Sequence, residues 1–158
     1  MSVKFDFYSF LIFFREIIDH HISGQMKIAP EHTSDEVLHH MGKPGKQSLI
    51  EFKKMFDDLN KESGKKQFLT YYLIAAHPGC KESHMHELKQ FTTHELKINP
   101  EQAQVFTPTP GTYSAVMYYT ELDPFTKKKI FVEKDTLRKE RQKEIVVAKK
   151  SFCKTKQN

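Results

Sequence analysis

The run from Phe68 to Ala76 is almost wholly apolar, and it constrains the fold more than any other stretch of the chain. A strand that is apolar on both faces is typical of the middle of a parallel sheet covered by helices. Two shorter runs, Met26–Ala29 and Gln104–Phe106, also read as strands, and amphipathic helical patterns separate them from the long one. The sequence therefore predicts alternating strands and helices with right-handed crossovers.

A further strand is predicted at the start of the chain, where polar and apolar residues alternate from Ser2 to Phe7. Apolar residues at helical spacing predict helices over Phe10–Ile18, Val37–Met41, Leu49–Leu59 and Met85–Phe91. Thr33 and Glu36 form a capping-box pattern for the second helix, and Gly42 would end it. The predicted fold is thus α/β, with about four parallel strands.

The pattern changes after Gly111. Tyr113–Tyr119 predicts a short helix or an extended segment, and Lys129–Val132 predicts a small hairpin or strand. From Asp135 to Lys150 we expect a solvated helix and then a disordered end. Residues 127–158 hold 12 Lys and Arg against 4 Asp and Glu, so this tail could bind nucleic acid or acidic surfaces, or simply be a solvated terminus.

The cysteine and hydropathy patterns indicate the cellular compartment and whether the chain spans a membrane. The two cysteines, Cys80 and Cys153, are far apart and form no CxxC spacing, which fits a reducing compartment. The apolar run Phe10–Phe14 is too short to span a bilayer. We expect a cytoplasmic protein without a membrane span, and no histidine spacing predicts a metal site.

Candidate ligand-binding residues follow three of the strands, in polar turns that contain proline. These turns contain Glu31-His32, Ala75-Ala76-His77-Pro78-Gly79 and Phe106 to Thr112. Ligands of parallel sheets bind at the carboxyl ends of the strands. Other readings stay open: Glu31 could stabilise a helix dipole, and His77 could only terminate a strand. Cys80 could be a buried structural thiol or one with a lowered pKa.

The same turns resemble a known family. The matching motifs are Gly24–Thr33, Met41–Pro44, Ala75–Cys80, Pro108–Thr112, Met117–Thr120 and Asp123–Thr126. Together they resemble the C-terminal part of YgiQ-type radical S-adenosylmethionine proteins, over about Val3 to Leu137. The resemblance implies that residues 1–112 are the C-terminal part of a partial TIM-type (βα) barrel. Residues 113–137 would be a C-terminal extension and residues 138–158 a basic tail.

The resemblance also implies cofactors and site residues. Proteins of that superfamily hold a [4Fe–4S] cluster on a CxxxCxxC loop and use it to reduce S-adenosylmethionine to a radical. This chain lacks that loop and could not hold the cluster alone. The implied S-adenosylmethionine-binding residues are Glu31, His32, Ala75, Ala76, His77, Thr107, Thr109 and Gly111, and no catalytic residue is implied. The chain would then be a radical S-adenosylmethionine oxidoreductase fragment, not catalytic alone.

The alternative function is a binding or assembly module without chemistry, which could use the basic tail on nucleic acid or on a partner protein. The predicted first strand near Val3 to Phe7 would expose an unpaired edge. We therefore expect a homo-oligomer, or a partner protein that covers this edge.

Overall fold

A computed structural model describes residues 7–147, and only the backbone of Phe7. In chain order, the elements are α1 (Phe7–Glu16), β1 (Gln25–Glu31), α2 (Asp35–Met41), α3 (Lys46–Glu62), β2 (Phe68–Ala75), α4 (Glu82–His94), β3 (Gln104–Val105), α5 (Tyr113–Thr120) and α6 (Thr136–Val146). The predicted alternation of strands and helices is confirmed for these residues. Among them, no helix combines the length and the apolar character that a bilayer span requires.

The three described strands form one parallel sheet in the order β1-β2-β3. Between β2 and β3, Ile74 lies opposite Gln104 and Ala75 lies opposite Val105. The predicted α/β class is therefore confirmed. The predicted strand over Ser2–Phe7 lies outside the described residues, except for Phe7, which begins α1 instead.

The prediction that this apolar run is the middle strand of a parallel sheet is confirmed, although its two faces are not equally buried. Leu73 and Ala75 are at most 1% exposed, whereas Tyr72 and Ile74 remain partly exposed. Successive side chains of a strand point to opposite faces of the sheet. Tyr72 and Ile74, on the other face, line a cavity.

The chain divides into two compact units, of which the first comprises residues 1–29 and 47–71. Its buried core comes from α1, the π-helical turn Ile17–His21 and α3, and consists of Phe14, Ile18, Phe56 and Leu59. Of the apolar residues at helical spacing in this region, Phe14 and Ile18 are therefore core and Phe10 packs against them, whereas Phe13 is exposed. The Gln67 side-chain amide donates to the carbonyl oxygens of Ile18 and Ile22 at 2.9 and 2.8 Å, which satisfies acceptors that the helix end leaves free.

The second unit comprises residues 30–46 and 72–158, and α6 packs against α4 within it. The Asp135 side chain caps α6 by accepting the Arg138 amide at 2.9 Å. The predicted helix is therefore present, but it is not fully solvated, because Gln142 and Val146 are buried. Residues 148–158, for which we predicted disorder, lie outside the described part of the chain.

The segment after Gly111 forms α5 and then a short hairpin. Leu122 and Lys129 form an antiparallel bridge, as the predicted hairpin requires. The Asp123 carboxylate accepts the backbone amides of Phe125 and Thr126 at 2.8 and 2.7 Å and so fixes the turn.

Candidate functional site

A cavity of about 500 Å³ lies at the carboxyl ends of the strands, within the second unit. Its walls come from the ends of β1, β2 and β3 and from the start of α5. The lining residues are Glu31, Tyr72, Ile74, Gln104, Val105, Phe106, Thr107, Thr109, Thr112 and Ser114. Of the eight residues implied by the resemblance, the cavity brings together Glu31, Thr107 and Thr109.

Glu31 is the last residue of β1 and the acidic group of this cavity. One of its carboxylate oxygens lies 3.0 Å from Lys43 Nζ, and both side chains are largely shielded from solvent. The Glu31 backbone has φ +66°, a left-handed conformation that is uncommon for residues other than glycine and that often marks functional sites. The carboxylate keeps lone pairs that can accept hydrogen bonds from a ligand.

Ala75 and Ala76 end β2 but do not line the cavity. Both are buried, and Ala76 has φ +58°. The Ala75 carbonyl oxygen accepts the Phe106 amide at 2.9 Å, so it continues the pairing of β2 with the segment after β3. These two alanines therefore shape the strand end from behind the cavity wall.

His32 caps the start of α2 with its ring. Its Nδ1 accepts the backbone amides of Thr33 and Ser34, both at 2.9 Å, and its Nε2 lies 3.7 Å from Cys80 Sγ. The predicted Thr33–Glu36 capping box is wrong, because Ser34 is the N-cap residue and makes no side-chain cap. Burial lowers the pKa of His32 to about 3. Both ring nitrogens face protein groups, so the ring supports the end of β1 rather than lining the cavity.

His77 lies behind the cavity wall and contacts two residues of it. Its Nδ1 is 2.8 Å from the Pro78 carbonyl oxygen, and its Nε2 is 2.8 Å from Ser114 Oγ. Its ring also meets the Phe106 ring edge-on, with 4.9 Å between centroids. Burial lowers the pKa of His77 to about 4, so the ring is neutral near pH 7.

Cys80 is fully buried, and desolvation raises the pKa of its thiol to about 12. The prediction that this thiol is buried is therefore confirmed. The alternative of a lowered pKa is wrong, because the apolar surroundings disfavour the thiolate.

Gly111 is separated from the other predicted residues. It lines a neighbouring cavity of about 620 Å³ with Pro108, Pro110, Thr112, Tyr113, Ala115, Val116, Tyr119 and Thr120. It has φ +80° and immediately precedes Thr112, the N-cap residue of α5.

Two lining residues that lie outside the predicted turns are Tyr72 and Ser114. Strand alternation would have found Tyr72, because it is one residue from buried Leu73 and must face the other side of the sheet. Ser114 carried no local signal, since its partner His77 is distant in the sequence.

The residues present do not fit an iron–sulfur cluster. The sequence has two cysteines, and a cluster needs more thiolate ligands than that. Within residues 7–147, no three Cys, His, Asp or Glu side chains come together as metal ligands.

Comparisons with known proteins find that the chain is similar to one family model and to several longer proteins. A family model described as a domain of unknown function, DUF3362, matches residues 101–156. UPF0313 protein FN0734 of Fusobacterium nucleatum is 63% identical over 139 residues, which cover 88% of this chain and 24% of that protein. A UPF0313 protein of Clostridium botulinum (strain Loch Maree) is 46% identical over 134 residues, covering 85% of this chain and 21% of that protein.

A UPF0313 protein of Clostridium perfringens (strain SM101) is 42% identical over 134 residues, again with 85% of this chain and 20% of that protein covered. The relatives are thus UPF0313 proteins, and the chain spans between a fifth and a quarter of their length. The similarity covers the whole cavity, because its lining residues lie between positions 31 and 114.

Proposed function

We propose that this segment of a UPF0313-like protein binds S-adenosylmethionine in the cavity at the carboxyl ends of β1, β2 and β3. In this proposal the segment is the ligand-facing part of a radical S-adenosylmethionine protein. The observation that carries the proposal is that Glu31, Thr107 and Thr109 line the same cavity. These residues come from two different strand ends, and the family resemblance assigns all three to the same ligand.

The lining of the cavity suits a nucleoside with an amino acid attached. A volume of about 500 Å³ lies in the range of small-molecule sites. Tyr72 and Phe106 supply aromatic surface for a base, and the Glu31 carboxylate can accept ribose hydroxyls or an ammonium group. Bound S-adenosylmethionine would supply the carbon–sulfonium bond that radical enzymes of this kind cleave.

The cluster would have to come from elsewhere, because this chain has too few cysteines to hold it. We propose that its ligands belong to another part of the longer relatives or to a partner chain. The residues described here would then bind and orient S-adenosylmethionine without performing the reductive step. This division of labour makes ligand binding, rather than turnover, the property to test.

Glu31→Gln is expected to weaken S-adenosylmethionine binding about tenfold or more. A hydrogen bond to a charged group contributes roughly 1.5 to 3 kcal/mol, and about 1.4 kcal/mol corresponds to tenfold in affinity. Isothermal titration calorimetry on the full 158-residue chain measures the effect. The substitution keeps the side-chain shape at this position and removes the charge, together with the ion pair between Glu31 and Lys43.

The matched control is Glu95→Gln, which makes the same substitution at an exposed residue after α4, outside the cavity. The control is expected to bind like the unmodified chain. Equal affinities of the two variants would remove Glu31 from the binding site, and absence of binding by the unmodified chain would overturn the proposed function.

A further inference from the structure

Ser114 brings a polarised hydroxyl into the cavity wall. It is the second residue of α5, and its Oγ lies 2.8 Å from His77 Nε2. The resemblance assigned no role to it. The direction of this hydrogen bond decides what Ser114 can offer a ligand.

The partners of His77 fix where its proton lies. A carbonyl oxygen can only accept, so the 2.8 Å contact between Nδ1 and the Pro78 oxygen requires a proton on Nδ1. The ring is 3% exposed, and its lowered pKa keeps it neutral near pH 7. In a neutral ring Nε2 then carries a lone pair, and the Ser114 hydroxyl must donate to it.

A second lining hydroxyl has its proton committed in the same way. Thr112 Oγ1 donates to the Thr109 carbonyl oxygen at 2.8 Å and accepts the Ala115 amide at 3.1 Å. Glu31, as a carboxylate, has no proton to give. Three polar groups of the lining therefore have lone pairs and no available proton.

We infer, resting on the proposed function, that Ser114 Oγ accepts a hydrogen bond from an N–H or O–H group of the bound nucleoside. Ser114 is then a specificity-determining residue, held in its acceptor orientation by His77. The part of the cavity that faces Ser114 would select a donor group, such as the adenine amino group or a ribose hydroxyl. An analogue that lacks the donor group facing Ser114 would bind less tightly than the ligand that has it.

The test combines the removal of single groups from the ligand with a substitution of Ser114, as in a double-mutant cycle, and measures each affinity by calorimetry. The probes are adenosine, purine riboside, which lacks the amino group, and the 2′-deoxy and 3′-deoxy forms of adenosine. One of the three deletions is expected to weaken binding about five- to tenfold in the unmodified chain. The same deletion is expected to change affinity by less than about twofold in Ser114→Ala, because the acceptor is gone.

Ser83→Ala, at an exposed position of α4, is the control and should keep the full discrimination. If Ser114→Ala does not fold, the isosteric pair Ser114→Thr and Ser114→Val replaces it, and only the threonine variant should discriminate. If each of the three deletions weakens binding by the same factor in Ser114→Ala as in the unmodified chain, the inference is overturned and the proposed function stands. If the unmodified chain binds S-adenosylmethionine but not adenosine, the inference is overturned and the proposed function stands; if it binds neither, both are overturned.

Discussion

Replacing Gly79 by alanine is expected to lower the free energy of unfolding by about 2 to 5 kcal/mol. A Cβ atom at this position would lie 2.4 Å from His40 Cδ2 and 3.1 Å from His40 Nε2. Gly79 also has φ +88°, where a side chain costs roughly 1 to 2 kcal/mol. Overpacking of a buried site adds roughly 1 to 3 kcal/mol.

His40 has little room to move away from such a Cβ atom. Its Nδ1 lies 3.7 Å from the Asp123 carboxylate, and both side chains are largely buried. That carboxylate is itself held by two turn amides, and the Gly79 amide donates to the Phe131 carbonyl oxygen at 2.7 Å. The Gly79 backbone is therefore held by a hydrogen bond, and the His40 ring lies beside a carboxylate that two turn amides fix.

Gly111→Ala provides the matched control, measured by urea unfolding beside Gly79→Ala. Gly111 has a similar φ of +80°, but a Cβ atom there would meet nothing within 4 Å. Its expected loss is about 1 to 2 kcal/mol, from backbone strain alone. Equal losses in the two variants would show that the His40 contact has no energetic weight.

Acidification from pH 7.5 to pH 5 is expected to lower the free energy of unfolding by roughly 4 kcal/mol, about half of it from each of His32 and His77. Burial lowers their pKa values from 6.5 to about 3 and about 4. Below pH 6.5 the unfolded chain therefore takes up protons that the folded chain does not bind. Stability is fully present above pH 6.5 and is lost as the pH falls toward 4, at about 1.4 kcal/mol per pH unit for each residue.

The variant His32→Asn separates this effect from general acid unfolding. The asparagine oxygen can replace Nδ1 as the acceptor for Thr33 and Ser34 but does not titrate. We expect about half of the pH dependence to disappear, as measured by urea unfolding at each pH. The control His86→Asn, at an exposed position of α4, should keep the full pH dependence of stability. If His32→Asn and His86→Asn show the same pH dependence, His32 is not a source of it.

The order of strands and helices could be predicted because it depends on local patterns. The apolar run that forms β2 and the helical spacing around Phe14 and Phe56 are visible without knowledge of any distant contact. The cap of α2 could not be predicted in the same way. Thr33 and Glu36 match a local rule, but the helix begins one residue later, with Ser34 as its N-cap residue, and the ring of His32 accepts the amides of Thr33 and Ser34.

The candidate site could be predicted in part for a similar reason. Neighbouring parallel strands end at one edge of the sheet, so Glu31 and Thr107 were expected to lie close together. The sequence does not show which way a residue faces after a strand ends, and Ala75, Ala76 and His77 turned out to support the wall from behind. Ser114 depends on a partner in a different element, and such a pair is visible only in three dimensions.

The most direct test of the central claim is a two-dimensional amide NMR titration of the full chain with S-adenosylmethionine. If the cavity at the strand ends is the binding site, the saturable shift changes will concentrate at Glu31, Thr107, Thr109 and Ser114. Saturable changes confined to other surfaces, such as the groove between Leu11 and Phe52 in the first unit, would contradict the claim. The absence of any saturable change would contradict it as well.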